Sequence, residues 1–407
     1  MPNIMPVKGG ITAPKGFKAG GINCGLKKRG RDLALIYSDV PAEAGGVFTT
    51  NKFPAAPIKI SKRNLKYGSI QAILINSGNA NSCTGKRGLS AANKLARATA
   101  LKLGINDKSV LLASTGIIGK FLDVAKIQKS IPGLIKQLSY NGSSPAARAI
   151  MTTDTVCKEI AVRLKIGSRP VTIGAIAKGA GMLAPNLATM LVFITTDVNI
   201  SKPVLNAALK ESAANSFNLI TIDGEMSTND TVFILANGLA QNRKIVKRNS
   251  GFLIFQNGLD FVTRALAEMM VNDGEGVTKF IEIIVKGGRS KNDVKQAAFK
   301  IANSPLVKTA LGGEDPNWGR VAASLGDSGI SFTQDLVDLY FGDVKVFSKG
   351  EPVTADKKRL KNVLAGKKIR ILINLNLGKY QTAVWTGDLS AEYVRINRGY
   401  GKNHRKG

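Results

Sequence analysis

The feature that most limits how this chain can fold is the brevity of its apolar runs. None of them in the 407 residues approaches the ~18 residues of a membrane-spanning helix, and glycines, 43 in all, fall at many of their junctions. Runs of this length have to be assembled into sheets and covered by helices. Asp32–Asp39 (DLALIYSD), Ile70–Ile75, Val110–Ala113, Val171–Ala177 and Met190–Thr196 read as short, largely buried strands. Ile369, Ile371, Ile373, Leu375 and Leu377 alternate with a mostly polar set, the pattern of a strand with one buried face. Ser90 is a candidate cap for a helix through Leu95 and Leu101 that ends at Gly104. Ser201 can cap a helix with Leu205 and Leu209, Leu259–Met270 shows helical spacing, and Ser290 with Asp293 resembles a capping box. The expected class is compact α/β or α+β with mixed sheets covered by helices.

Composition narrows the function. Hydrophobic residues make up 44% and charged residues 21%, the balance of an ordinary globular protein. The net charge of +30 raises the question of nucleic acid. However, the basic residues are scattered, and aromatics at 6% are too few for base stacking. The charge surplus suits steering of anionic small molecules instead. The N-terminal MPNIMPVKGGITAPKGF has no apolar core of a secretory leader. Cys24, Cys83 and Cys157 are far apart and odd in number, against a disulfide framework or a zinc site. A cytoplasmic protein with no membrane or nucleic-acid partner is expected.

Elimination then narrows the chemistry. His404, in a basic tail, is the only histidine, so His-dependent nucleophilic catalysis has little to rest on. Metal sites fail for lack of ligands. Asp223–Ser227 (DGEMS) lacks the glycine and terminal Glu of a calcium loop, and Lys178 is not the lysine of a phosphate-binding loop. A nucleophile without histidine can use its own α-amine when it is N-terminal, and the pKa of that amine, near 8, suits proton transfer at neutral pH. Ala188-Thr189 suits cleavage of this kind. A glycine-rich loop with Pro185 and Asn186 precedes the bond, and a strand-like run follows it. The other reading of Thr189 is simply the first residue of a β-strand.

The segment Lys178–Leu191, KGAGMLAPNLATML, resembles the self-processing segment of the ornithine acetyltransferase family, the bifunctional glutamate N-acetyltransferases of arginine biosynthesis. The resemblance continues, in the family's order, through GGVFTTN (45–51), INSGNANSCTG (75–85), STGIIG (114–119), MTTDT (151–155), ITIDGEMSTNDTV (220–232), NDGEG (272–276) and EDPNWGR (314–320). It implies a four-layer αββα sandwich with mixed sheets, like the self-processing aminopeptidases, plus a smaller C-terminal α/β region. It further implies cleavage at Ala188-Thr189 into chains 1–188 and 189–407, assembled as a heterotetramer of two of each. By the resemblance Thr189 is the nucleophile and Thr115 with Gly116 the oxyanion hole. Thr152, Lys178, Thr189, Glu275 and Asn397 contact the substrates N-acetylornithine and glutamate. No metal or organic cofactor is expected, and acetyl-CoA stays open as a second acetyl donor. The family usually ends on a substrate-contacting Ser or Thr, where this chain has Lys402, so that contact is not assigned. An amide hydrolase on the same scaffold is the alternative.

Overall fold

Residues 4–184 and 190–405, with side chains through residue 399, are described in a computed structural model. They form two units. The first takes in residues 4–182, 190–218 and 226–270, and the second residues 183–184, 219–225 and 271–405.

The first unit is built on one strand that changes partners. Strands β1 (Met5–Pro6) and β2 (Phe17–Ile22) lead into β3 (Leu33–Phe48), followed by β4 (Ile70–Asn76), β5 (Val110–Ser114), β6 (Lys158–Ile166), β7 (Arg169–Lys178), β8 (Leu191–Thr196) and β9 (Thr231–Ala236). They form a nine-stranded sheet ordered β1-β6-β7-β8-β9-β3-β4-β5, with β2 also on β3. The first half of β3 pairs with β2 and β4, and its second half, from Glu43, pairs with β9. The register slips between Tyr37 and Ala42. Pro41, which has no N–H to give a ladder, lies in that gap.

Period-two alternation sets the layers around this bend. Leu33, Leu35, Ala72, Leu74, Val110 and Leu112 face helices α1 (Ala56–Asn64), α2 (Gly85–Leu103) and α3 (Val124–Lys136). Their neighbours Ala34, Ile36, Ile73, Ile75, Leu111 and Ala113 point inward, to a core shared with Ile176, Phe193, Phe233 and Leu235 of the other half-sheet. The short helix α4 (Ser143–Ile150) adds Ala146, Ala147, Ala149 and Ile150 to that core. On the far side lie α5 (Lys202–Ala214) and α6 (Ser250–Asn272). A Cβ on Gly45 would stand 2.8 Å from Asn206 Oδ1 of α5, and one on Gly258 of α6 would stand 2.2 Å from Leu164 of β6. The unit is the expected four-layer αββα sandwich.

The second unit is the smaller α/β region. Its strands are β10 (Phe280–Gly288), β11 (Asp338–Phe341), β12 (Val344–Ser348), β13 (Glu351–Pro352), β14 (Lys368–Asn374) and β15 (Tyr380–Gly387), ordered β13-β12-β11-β14-β10-β15. Only β10 and β14 run parallel; the other pairs are antiparallel. Ile369, Ile371 and Ile373 lie opposite Ile281, Ile283 and Val285. All six pack under α7 (Lys291–Ala302), α8 (Pro305–Gly312), α9 (Trp318–Gly326) and α10 (Lys357–Ala365), as the alternation in the sequence requires. The last helix is α11 (Ala391–Arg405).

The local expectations held for Gly104, a left-handed C-cap, and for Ser290, whose Oγ accepts the Asp293 N–H at 3.1 Å. Ser201 stands at the cap position of α5, but its side chain makes no capping bond among the described residues. Ser90 is corrected. It lies inside α2, which begins at Gly85, five residues earlier. The glycines that disguised this start are there for packing. A Cβ on Gly88 would meet Thr84 Oγ1 at 1.9 Å, and Asn81 Nδ2 donates to the Gly88 carbonyl.

Candidate active site

In the first unit, β5 runs into a tight turn at Ser114-Thr115-Gly116. The turn is held by Asn76 at the end of the neighbouring β4. The Asn76 carbonyl accepts the Thr115 N–H at 3.0 Å, and its side chain accepts the Ser114 hydroxyl at 2.6 Å. Gly116 has φ +125°, and a Cβ there would sit 2.4 Å from the Gly78 carbonyl carbon, so only glycine fits. The Thr115 side chain is almost fully buried, and its hydroxyl donates no hydrogen bond among the described residues. A hydroxyl held ready in this way, with an N–H next to it on the same turn, can serve a developing oxyanion.

A second group centres on Asp154. One carboxylate oxygen accepts the Lys158 ammonium at 2.8 Å and the Gly179 N–H at 2.7 Å; the other accepts the Thr152 N–H at 3.0 Å and lies 4.0 Å from Lys178 Nζ. Asp154, Lys158 and Lys178 are all buried. Burial alone pushes the Asp154 carboxyl up, but Lys178, Lys158 and the hydrogen bonds from Lys158 and the Thr152 N–H outweigh it and hold it down at about 2. One carboxylate thus fixes both Thr152 and the end of β7 that carries Lys178.

Consecutive residues before β9 connect the Thr115-Gly116 turn to the start of β8. Asn229 Nδ2 donates to the Ser114 carbonyl at 2.8 Å and to the Ala80 carbonyl at 2.6 Å. Asp230 Oδ1 accepts the Met190 N–H at 3.1 Å, and the Met190 carbonyl accepts the Thr231 N–H. Asp230 Oδ2 is buried and makes no hydrogen bond among the described residues. Burial drives this carboxyl well above the usual carboxylate range, opposed by the Met190 N–H and the Lys178 charge.

In the second unit, Asn397 Nδ2 on α11 donates to Glu275 Oε2 at 2.9 Å, so these two predicted contacts are neighbours. Tyr393, one helical turn earlier, donates to Asp223; burial first, then Asp223 and Glu275, raise its hydroxyl to about 12. Leu183 is held by Asp223 Oδ1 on its N–H and by the Ile222 N–H on its carbonyl. Ala188, Thr189 and the Lys402 side chain lie outside the described residues.

Asp154, Asn229 and Asp230 carry the architecture of the site, yet none stands out from the sequence as a site residue. The available signal was an acidic or amide side chain inside each of two matched blocks, MTTDT and STNDTV. A hydroxyl and an N–H on the Thr115-Gly116 turn have the chemistry to serve acyl transfer, and Lys178 by Asp154 has the charge to meet an anion.

The comparisons with known proteins agree with that class. A model of the ArgJ family matches residues 18–402. The arginine biosynthesis bifunctional protein ArgJ of Dehalococcoides mccartyi (strain CBDB1) is 48% identical over 401 residues, covering 98% of both chains. The protein of that name from Symbiobacterium thermophilum is 45% identical over 395 residues, 96% of this chain and 98% of its own. Among solved structures, ornithine acetyltransferase complexed with ornithine from Mycobacterium tuberculosis is 36% identical over 45% of this chain and 98% of its own, with a TM-score of 0.42. The family model and the two relatives decide the matter: the chain belongs to the ArgJ family. It is an acyltransferase of arginine biosynthesis, of the glutamate N-acetyltransferase/ornithine acetyltransferase type.

Proposed function

We propose that the chain cuts itself between Ala188 and Thr189 and then carries acetyl from N-acetylornithine to glutamate on the Thr189 hydroxyl. The observation that supports this best is the Asn229-Asp230 pair. It ties the carbonyl before Thr115 to the amide of Met190, the residue after Thr189. In the cut, Thr189 Oγ attacks the Ala188 carbonyl, the chain shifts from nitrogen to oxygen, and water hydrolyses the ester. This leaves a carboxylate on Ala188 and an amine on Thr189, in chains 1–188 and 189–407.

In the transfer, the Thr189 α-amine takes the proton of its own hydroxyl as Oγ attacks the acetyl carbonyl. The Thr115 hydroxyl and Gly116 N–H donate to the oxyanion, each worth ~2.7–4 kcal/mol when preorganised. The C–N bond breaks, the proton leaves with the ornithine amine, and an acetyl-Thr189 ester remains. The glutamate amine then attacks the ester, and the hydroxyl recovers its proton. Thr152 and Lys178 take a substrate carboxylate, while Glu275 and Asn397 take an amino group. The cycle uses no metal or organic cofactor, and acetyl-CoA would enter only as a replacement acetyl donor. We assign the working form to a cytoplasmic heterotetramer of two chains of each kind.

Intact-mass measurement tests this reading. Wild type is expected as two chains and Thr189→Ala as one. Mixing wild type with N-acetylornithine in the absence of glutamate should add one acetyl group to the 189–407 chain alone. A single uncut wild-type mass, or a Thr189→Ala variant cut at the same bond, overturns the proposal. Amide hydrolysis without an amino-acid acceptor would identify a hydrolase instead.

A further inference from the structure

A third lysine reaches the group around Thr152. Asp32, fully buried, accepts the N–H groups of Cys24, Leu26 and Lys27 at 2.6, 2.7 and 2.8 Å, and so fixes the loop that carries Lys27. The Lys27 stem lies against Gly78, where a Cβ would meet its Cγ at 2.9 Å; Gly78 in turn lies against Gly116 of the oxyanion turn. At its far end, Lys27 Nζ donates to the Met151 carbonyl at 3.0 Å, next to Thr152. The side chain therefore spans from the oxyanion turn to the Thr152 backbone. An ammonium carries three donors, and among the described residues this one makes a single hydrogen bond and no ion pair. Burial and the Lys178 charge both push Lys27 below the usual lysine value, against the pull of Asp32 and Asp154.

Asp154 is matched by Lys158 at 2.8 Å, and Asp32 already accepts three backbone N–H groups. Lys27 feels both carboxylates through space but forms no ion pair with either among the described residues. A half-buried ammonium with unfilled donors and no ion pair of its own, as Lys27 is, suits an anion brought by the ligand.

We infer that Lys27 is a further substrate-binding residue, whose ammonium, with Lys178 and Thr152, takes the α-carboxylate common to N-acetylornithine and glutamate. This rests on the proposed acetyl transfer for the identity of the substrate, and on the geometry alone for the anion. A direct test compares N-acetylornithine with its carboxamide, N-acetylornithinamide, on wild type, Lys27→Met and Lys27→Arg. Lys27→Met should lose about tenfold or more in kcat/KM with the acid, mostly through KM, since a charge-assisted bond to carboxylate is lost. The amide should react equally with wild type and Lys27→Met, and Lys27→Arg should recover most of the acid's advantage. If acid and amide suffer by the same factor, or neither suffers, the inference is wrong. Calorimetric affinities of the same ligands for the same proteins decide the carboxylate question even if the intact masses refute Thr189 as nucleophile.

Discussion

At the scale of single residues, Asp230 is where burial and charge are most directly opposed. Its unfolded carboxyl titrates near the ordinary 3.8, while burial raises the folded value well above that. Between those two values the folded state holds more protons than the unfolded one, so stability falls as pH rises, at up to about 1.4 kcal/mol per pH unit. Asp230→Asn still offers an oxygen to the Met190 N–H but cannot ionise. Made in the Thr189→Ala background, to keep the chain whole, the substitution should flatten the denaturant midpoint from pH 4 upward, and the variant should gain on its parent as pH rises. Parallel pH curves for the two would show that Asp230 does not carry this proton. Thr115, Gly116 and Lys178 draw attention in the sequence because they stand in blocks that resemble a family's, and the resemblance gives each an expected role. Asp154, Asp230 and Lys27 draw no such attention. A buried carboxylate and a carbonyl-seeking ammonium take their meaning from partners 25, 40 and 124 residues away, such as Gly179, Met190 and Met151.

At the scale of elements, sequence pattern and structure agree where one physical signal acts alone and differ where packing interferes. β14 is alternating in sequence and one-faced in the fold, because nothing interrupts its ladder. β3 runs for 16 residues, twice the length read from DLALIYSD. Pro41, Gly45 and Gly46 weaken its strand signal at the point where it leaves β4 for β9. α2 likewise starts ahead of Ser90 because Gly88 is needed for close contact with Thr84. α7 is the simple case, with Ser290 Oγ on the Asp293 N–H, and it covers β10 and β15. Ser290→Ala should cost ~1 kcal/mol, the usual loss for an N-cap hydroxyl, with m unchanged in urea. A loss under a few tenths would mean that water replaces the hydroxyl at that helix end.

At the scale of the whole molecule, the proposed cut does not follow the division into compact units. Chain 1–188 would bring β1 to β7 and chain 189–407 would bring β8 onward. In the nine-stranded sheet, however, β8 and β9 lie in the middle. β8 pairs with β7 from Ile173↔Thr196 to Lys178↔Leu191, and β9 pairs with β3 from Glu43↔Ala236 to Phe48↔Thr231. The second chain is therefore flanked on both sides by strands of the first, and Phe193 and Phe233 fill the same core as Ile36 and Ile75. Separating the chains would open two ladders and expose that core to water, which is strongly unfavourable. The cut protein should elute as one species from a native sizing column and run as two bands after denaturation. Chain 1–188 expressed alone should aggregate or stay unfolded, because it would present two bare strand edges. Recovery of a folded, monomeric 1–188 chain would show that the central strands are not required, and the shared-sheet account would then fail.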